Sequence, residues 1–197
     1  MFINLDLIIA YGGIQKKYRK GDLIFLEGDQ CRYYYQIVEG SIKMFNITSE
    51  GKEFTQGLFS SGESFGEPPL FIDLPYPTSS EATSNSIVIR LPKEKFLTLI
   101  DEYPKLKNKI LLLLSHRTYN KSVVSKIIIN SSPESRILSF LEYHKLKHGI
   151  QENKNLISLT RQQIADHIGL RVETVIRVLL RLKAKGIVEI KNRKLYY

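Results

Sequence analysis

The sequence of 197 residues contains a single cysteine, Cys31. One thiol cannot form an internal disulfide, and it cannot supply the several thiolates that an iron–sulfur cluster or another multi-thiolate metal site needs. A disulfide-stapled fold is therefore excluded, and the count is compatible with a reducing compartment. We predict no metal site and no bound cofactor.

Long apolar runs are also absent. The strongest run, residues 110–114, is bounded by cationic residues and falls far short of the roughly 18 apolar residues that a membrane span needs. The first ten residues are apolar, but they include Asp6 and lack a basic lead-in. We interpret them as a folded segment rather than a signal peptide, and we expect a cytoplasmic protein without a membrane partner.

Signatures of catalysis are absent as well. The sequence shows no nucleophile–base arrangement, no glycine-rich phosphate loop and no carboxylate pair with an assignable role. His144 and His148 are four residues apart on a predicted helix, a spacing that can chelate zinc, but no third ligand lies nearby in the sequence. We interpret them as solvated histidines and predict that the chain is not an enzyme.

Positive charge is present in excess, and it is unevenly distributed. The chain has 29 Lys and Arg against 20 Asp and Glu, a net charge of +9. Residues 131–197, which follow a predicted hinge at residues 130–133, hold 13 cationic and 6 anionic side chains, a net charge of +7. This third of the chain can attract a polyanion such as nucleic acid, although a solvated basic surface is the alternative.

Glycines punctuate residues 11–91 and separate short runs rich in β-branched and aromatic residues. The clearest runs are residues 33–38, 41–47 and 86–91. This spacing is typical of an all-β sandwich or barrel. Four prolines at positions 68, 69, 75 and 77 cannot lie in a central strand, so something other than a hairpin must connect the strands there.

A single long helix is predicted after Pro104, because residues 105–129 contain neither Gly nor Pro. Seven positions of this helix, five of them apolar, follow the three-four spacing of a coiled-coil seam. These positions are Leu106, Ile110, Leu113, Arg117, Asn120, Val124 and Ile127. The polar residues within the seam favour pairing with a second copy, and packing against the helix's own domain is the alternative. We divide the chain into a sensor domain (1–103), a dimerisation helix (104–130) and a C-terminal domain (131–197).

The C-terminal domain carries a helix–turn–helix pattern. Thr160 and Gln163 form a capping box that begins a helix at Arg161, and Gly169 ends it. A second helix is predicted from Val172 to about residue 183. Two helices joined by a short glycine-containing turn leave the second free to enter a DNA major groove, whereas an ordinary helical hairpin is the alternative.

The second helix presents Glu173 and Arg177 four residues apart on one face. Arg can donate to guanine O6 and N7, Glu can accept from cytosine N4, and Val172 can pack against a thymine methyl group. A surface ion pair between Glu173 and Arg177 is the alternative, and we expect this ion pair to form in either case. The predicted base-reading residues are Arg171, Val172, Glu173 and Arg177. Helix N-termini and a basic C-terminal hairpin suit phosphate contacts, predicted for Thr160, Arg161, Gln162, Thr174, Arg181 and Arg193.

This order of a β domain, a long helix and a winged helix–turn–helix resembles the Crp/Fnr family of bacterial transcription regulators. The resemblance rests on residues 34–42 (YYQIVEGSI), 62–67 (GESFGE) and 172–177 (VETVIR). It implies an N-terminal cyclic-nucleotide-binding-type jelly roll, a homodimer formed through the long helix, and a two-fold-symmetric DNA site whose G·C core is read by Glu173 and Arg177. It also implies RNA polymerase as a partner and an effector that repositions the helix–turn–helix units.

The phosphate cassette departs from the family pattern. In the family, a Gly-Glu pair leads to an Arg-Ser pair that grips a cyclic phosphate. Here Gly66-Glu67 is present, but residues 76–78 stand near the Arg position and residues 53–89 contain no Lys or Arg. A cyclic nucleotide such as cAMP is therefore disfavoured. The predicted pocket for another small-molecule effector is Gly66, Glu67, Thr78, Ser79 and Ser80.

Three explanations of this departure stay open: a different ligand, a constitutive protein, or a pocket filled by its own side chains. Cys31 alone cannot replace the cysteine cluster of the oxygen-sensing iron–sulfur members. Arg171 and Val172 replace the common Ser-Arg pair at the start of the recognition helix, so a different half-site preference is expected. The alternative function is a ligand-binding signalling module whose C-terminal domain binds a protein instead of DNA.

Overall fold

The computed structural model describes residues 2–49, 51, 53–129, 132–147 and 155–197. The chain forms two compact units, Met1–His116 and Arg117–Tyr197. The division falls inside the long helix because each half of that helix packs with its own unit. Of the predicted hinge, Asn130 and Ser131 lie outside the described residues.

The first unit is a jelly roll. It begins with α1 (Leu5–Ala10), which is capped by the Asn4 side chain. In the described part of the unit the strands are β1 (Ile14–Tyr18), β2 (Leu23–Phe25), β3 (Tyr33–Glu39), β4 (Ser41–Ile47), β5 (Glu53–Ser60), β6 (Ser64–Phe65), β7 (Ser79–Ala82) and β8 (Ser86–Pro92). They form two antiparallel sheets with the orders β1-β8-β3-β6 and β2-β7-β4-β5. The predicted β architecture is confirmed.

The proline-rich connection between β6 and β7 contains a short helix, α2 (Pro68–Ile72). Proline suits the first turn of a helix, where its missing N–H group has no intrahelical partner. The expectation that no simple hairpin lies here is confirmed. After β8, α3 (Lys93–Glu102) closes the sandwich, and its buried Phe96 stacks on Tyr34 with ring centroids 4.4 Å apart.

The long helix, α4 (Pro104–Ile129), packs one face on its own chain. Ile110 belongs to the core of the first unit and Ile127 to the core of the second, each with 4% of its surface exposed. The prediction that Ile110 and Ile127 contact a second copy is therefore wrong, because each of them is buried by its own chain. The other five predicted seam residues are half-buried on the same face: Leu106, Leu113, Arg117, Asn120 and Val124.

The second unit combines helices with a small sheet. Its elements beyond α4 are α5 (Pro133–Lys147), β9 (Leu156–Ile157), α6 (Arg161–Ile168), α7 (Val172–Ala184), β10 (Glu189–Lys191) and β11 (Lys194–Tyr196). The strands form an antiparallel sheet in the order β10-β11-β9. A core of aliphatic residues around Phe140 holds α5, α6 and α7 together. Within the described ranges, no helix has the length and apolarity that crossing a membrane requires.

Candidate nucleic-acid interface

The start of α6 is fixed by a capping box, as predicted. The backbone N–H of Gln163 donates to Thr160 Oγ1 over 3.1 Å, and the backbone N–H of Thr160 donates to Gln163 Oε1 over 2.8 Å. Two N–H groups at this helix end are thereby satisfied. The first N–H groups of an α-helix have no partner within the helix, and such a helix end can bind an anion.

The turn between α6 and α7 depends on a left-handed glycine. Gly169 has φ 64° and ψ 38°, and the N–H of Leu170 donates to the carbonyl of Ala165 over 3.0 Å. A residue with a side chain resists this conformation, so glycine sets the angle at which the chain leaves α6. Ala165 is fully buried in the core that α6 and α7 share.

Helix α7 has one buried face and one open face. Its buried side chains are Val175, Val178, Leu179 and Leu182. Three of the four predicted base-reading residues are exposed: Arg171 just before the helix, and Glu173 and Arg177 in its first two turns. The fourth, Val172, is half-buried and packs against the core. The structure therefore brings the predicted base-reading residues together at the N-terminal end of α7.

Glu173 and Arg177 form no ion pair with each other in the described part of the molecule. The expectation that Glu173 and Arg177 pair with each other is therefore wrong, and a purely structural ion pair does not explain why both residues lie on this face. An exposed guanidinium and an exposed carboxylate on one helix face can each contact a hydrogen-bonding partner from outside the chain.

The predicted phosphate-contact residues fall into three groups. Thr160, Arg161 and Gln162 lie at the start of α6, and Gln162 Nε2 donates to Asp166 Oδ1 over 2.7 Å. Partial burial lowers the pKa of the Arg161 guanidinium, which stays charged at neutral pH. Thr174 is half-buried on α7.

Arg181, also on α7, is exposed but lies close enough to Glu134 to affect its ionisation. The pKa of Glu134 is lowered, chiefly by the hydrogen bond from Lys185 and in smaller part by Arg181. The positive charge of Arg181 therefore acts in part on an acidic group of its own chain. Arg181 thus has a role inside the protein, as do Thr160, which caps α6, and Gln162, which bonds to Asp166.

Arg193, the third group, lies at the tip of the hairpin formed by β10 and β11. Both residues of its two-residue turn have positive φ, 48° at Asn192 and 63° at Arg193. Tight hairpin turns require this conformation, which asparagine adopts more readily than arginine. The turn exposes Arg193 between Lys191 and Lys194, so a predicted basic wing is present.

The predicted effector residues lie inside the first unit. Glu67, Thr78 and Ser80 are buried, whereas Ser79 is half-buried and accepts a hydrogen bond from the N–H of Glu27 over 3.0 Å. Within the described residues, the hydroxyl oxygens of Thr78 and Ser80 have no hydrogen-bond partner. Gly66 has φ 74°, a left-handed conformation.

Aromatic rings fill the space beside Gly66. Phe25 and Tyr76 stack with their centroids 3.7 Å apart, and Phe25 also contacts Tyr35 and Phe65. A Cβ atom at Gly66 would lie 3.1–3.3 Å from the rings of Phe25 and Tyr76. Burial raises the pKa of the Tyr76 hydroxyl, as expected for a phenol enclosed by apolar groups.

Where it describes the chain, the structure gives no support for metal binding by Cys31 or by the pair His144 and His148. Cys31 is buried, and burial raises the pKa of its thiol, which disfavours the thiolate. His144 is buried beside Phe140, so the expectation of a solvated histidine is wrong for this residue; His148 lies outside the described residues. Over the described part of the chain, no group of three or more His, Cys, Asp or Glu side chains is arranged to hold a metal ion.

Two exposed aliphatic residues on α7 were not among the predicted contacts. Ile176 is 44% exposed and Leu180 is 55% exposed, on the face that carries Glu173 and Arg177. Their exposure is predictable from helical spacing in the sequence, because neither residue lies on the face that buries Val175, Val178, Leu179 and Leu182.

Each of the two units matches the model of a known domain family. Residues 15–103 match the model of the cyclic nucleotide-binding domain, and residues 135–196 match that of the Crp-like helix-turn-helix domain. The Fumarate and nitrate reduction regulatory protein of Yersinia pestis is 28% identical over 193 residues, which cover 96% of this chain and 76% of that protein. The Transcriptional activator protein anr of Pseudomonas aeruginosa is 24% identical, over 98% of this chain and 79% of its own.

Solved structures agree on the fold. The c-di-GMP responsive global regulator CLP of Xanthomonas campestris superposes with a TM-score of 0.81 at 20% identity, over 98% of this chain and 96% of that one. FixK2 from Bradyrhizobium japonicum gives a TM-score of 0.75 at 20% identity, over 93% and 91% of the two chains. The fold and site define a transcription regulator that joins a cyclic-nucleotide-binding-type β domain to a helix–turn–helix DNA-binding domain. The chain belongs to the Crp/Fnr family.

Proposed function

We propose that this protein is a homodimeric, sequence-specific regulator that reads a two-fold-symmetric DNA site with α7. One observation carries the proposal: α7 holds Glu173 and Arg177 side by side on an open face while its opposite face is buried. In a major groove, Arg177 donates to guanine O6 and N7 and Glu173 accepts from cytosine N4. Arg171 and Val172 complete the base-reading set at the start of the helix.

Phosphate contacts hold α7 in register. The free N–H groups and side chains of Thr160, Arg161 and Gln162 bind one phosphate group at the start of α6. Thr174 and Arg181 contribute from α7 and Arg193 from the wing. Because these cations release counterions when they bind DNA, affinity falls steeply as the salt concentration rises.

The homodimer is formed by the outward face of α4. Leu111, Leu112 and Tyr119 are 64%, 62% and 69% exposed in the single chain. Three large apolar side chains on one face of a helix favour burial against another copy of the same helix. Ile110 and Ile127 lie on the opposite side of α4 and are buried by their own chain.

The β domain responds to an effector other than a cyclic nucleotide. A cyclic phosphate needs a cation, and residues 53–89 supply none. The stacked rings of Phe25 and Tyr76 also occupy the space beside Gly66. RNA polymerase as a partner rests on the family resemblance.

The test is selection of binding sites from random duplex DNA by the purified full chain, without added effector, at two salt concentrations. A two-fold-symmetric site with a steep salt dependence supports a homodimer that reads sequence. A single half-site contradicts the homodimer. Weak binding with little salt dependence and no enriched sequence contradicts the proposal and favours a protein partner for the C-terminal unit.

Two arginine variants then separate base reading from phosphate binding. Arg177→Ala removes the guanine contact, so discrimination at one base pair of the selected site falls by about 1–3 kcal/mol. Arg161→Ala removes a phosphate contact, so it weakens binding to all sequences alike and reduces the salt dependence. An unchanged preferred site for Arg177→Ala would show that the recognition helix has been assigned wrongly.

A further inference from the structure

Ile176 is an aliphatic side chain on the open face of α7. It is 44% exposed, and within the described part of the chain it neither belongs to the core of the second unit nor packs against it. Single exposed aliphatic residues are ordinary on protein surfaces. Ile176 differs from such residues because it lies beside Glu173 and Arg177 on the open face of α7.

The open face of α7 carries two parallel rows of side chains. Residues four apart on an α-helix lie one above the other, so Val172 and Ile176 form an aliphatic row. Glu173 and Arg177 form a charged row directly beside it, since each charged residue follows its aliphatic neighbour in sequence. A base pair adjacent to the one that Arg177 contacts is therefore within reach of Ile176.

We infer that Ile176 is a specificity-determining residue that packs against the C5 methyl group of a thymine next to the G·C pair read by Arg177 and Glu173. The inference rests on the proposed DNA-reading function. The thymine methyl is the apolar group that base pairs present in the major groove. An aliphatic side chain there buries that methyl, whereas it leaves the amino group of a cytosine without a hydrogen-bond partner.

The side chain is suited to this contact by its stiffness. Isoleucine is β-branched and populates essentially one χ1 rotamer in a helix, so little conformational freedom is lost when it packs against a base. Leu180 is one turn further along α7, is 55% exposed and is not β-branched. It is therefore a matched control of the same chemical class on the same face.

The test removes only the methyl group. In the site obtained by selection, each thymine is replaced in turn by deoxyuridine, symmetrically in both half-sites, and Kd is measured for the full chain. At one position we expect deoxyuridine to weaken binding about fourfold per half-site, or about fifteenfold for the symmetric pair. Ile176→Ala loses this sensitivity, whereas Leu180→Ala retains it. Both residues are exposed, so both variants are expected to fold, which circular dichroism checks.

The outcomes separate this inference from the proposed function. If the wild-type chain tolerates deoxyuridine at every thymine, or if Ile176→Ala remains as sensitive as wild type, the inference is overturned while a selected site that depends on Arg177 keeps the function intact. A sensitivity that disappears in Leu180→Ala instead also overturns it. If no sequence is enriched at all, the inference fails together with the proposed function.

Discussion

The cassette region of the first unit buries its polar groups among aromatic rings, whereas the second unit presents cations and a carboxylate on the open face of α7. Glu67, Thr78 and Ser80 are buried, and the ring of Tyr76 stacks on Phe25 beside them. Glu173 and Arg177 are exposed and make no ion pair with each other in the described structure.

The two units therefore differ in where they place their polar side chains: buried in the first unit, exposed on α7 in the second. In the first, the residues at the positions that face a ligand in the family resemblance are mostly buried, and a jelly roll by itself carries no information on what is bound. In the second, the charged side chains are not required by the fold. Their presence on one face is explained by a partner outside the chain.

The largest expected effect on stability comes from removing an aromatic ring from the packed interior of the first unit. Phe25 is 5% exposed and contacts three other rings, so Phe25→Ala is expected to lower the free energy of unfolding of the first unit by about 3–5 kcal/mol. Native-state hydrogen exchange reports the two units separately and measures this loss.

Phe71→Ala is the matched control for that experiment. Phe71 is 39% exposed and has an edge contact with Phe96, so its truncation is expected to remove about 1 kcal/mol or less. If Phe25→Ala were no more destabilising than Phe71→Ala, the rings would not form the packed interior that distinguishes the first unit from the second.

Much of the fold follows from local sequence signals. The capping box at Thr160 and the stop at Gly169 predict α6, and the absence of Gly and Pro between residues 105 and 129 predicts α4. These signals act over a few residues, so the sequence contains them in full. The exposed charges of α7 are predictable for the same reason.

Other features depend on contacts between distant segments and were not predictable. Phe25 meets Tyr76 because β2 and the segment before β7 converge, which no local pattern encodes. Ile110 is buried because the β sandwich covers one face of α4, and spacing alone does not distinguish this from a dimer seam. His144 likewise packs beside Phe140 although its polar neighbours predict exposure.

Two glycines sharpen the comparison between the units. Gly66 and Gly169 both have left-handed backbone, with φ 74° and φ 64°. A Cβ atom at Gly66 meets aromatic rings at 3.1–3.3 Å, whereas one at Gly169 meets nothing within 4 Å. Gly169→Ala is expected to destabilise by about 1–2 kcal/mol from backbone conformation alone. Gly66→Ala adds about 1–3 kcal/mol of overpacking.

Chemical denaturation of the two glycine variants, with hydrogen exchange to assign each loss to its unit, provides the measurement. Equal destabilisation would mean that the rings beside Gly66 shift without resistance, and the interior of the first unit would then be open to a ligand of modest size.

The smallest expected effect concerns Thr160, which has both a structural and a proposed binding role. Its Oγ1 accepts the hydrogen bond from the N–H of Gln163, and its hydroxyl proton remains available to a phosphate oxygen. Thr160→Ala removes the cap and is expected to lower the free energy of unfolding of the second unit by about 1 kcal/mol.

Thr160→Asp separates the two roles. Aspartate is as good an N-cap as serine and interacts favourably with the helix dipole, so the stability measured by denaturation is expected to stay close to that of the wild type. Its negative charge repels a DNA phosphate at the same place, so affinity for the selected duplex is expected to fall by more than in Thr160→Ala. If Thr160→Asp bound DNA as well as the wild type, the start of α6 would not contact a phosphate, and the interface would be limited to α7 and the wing.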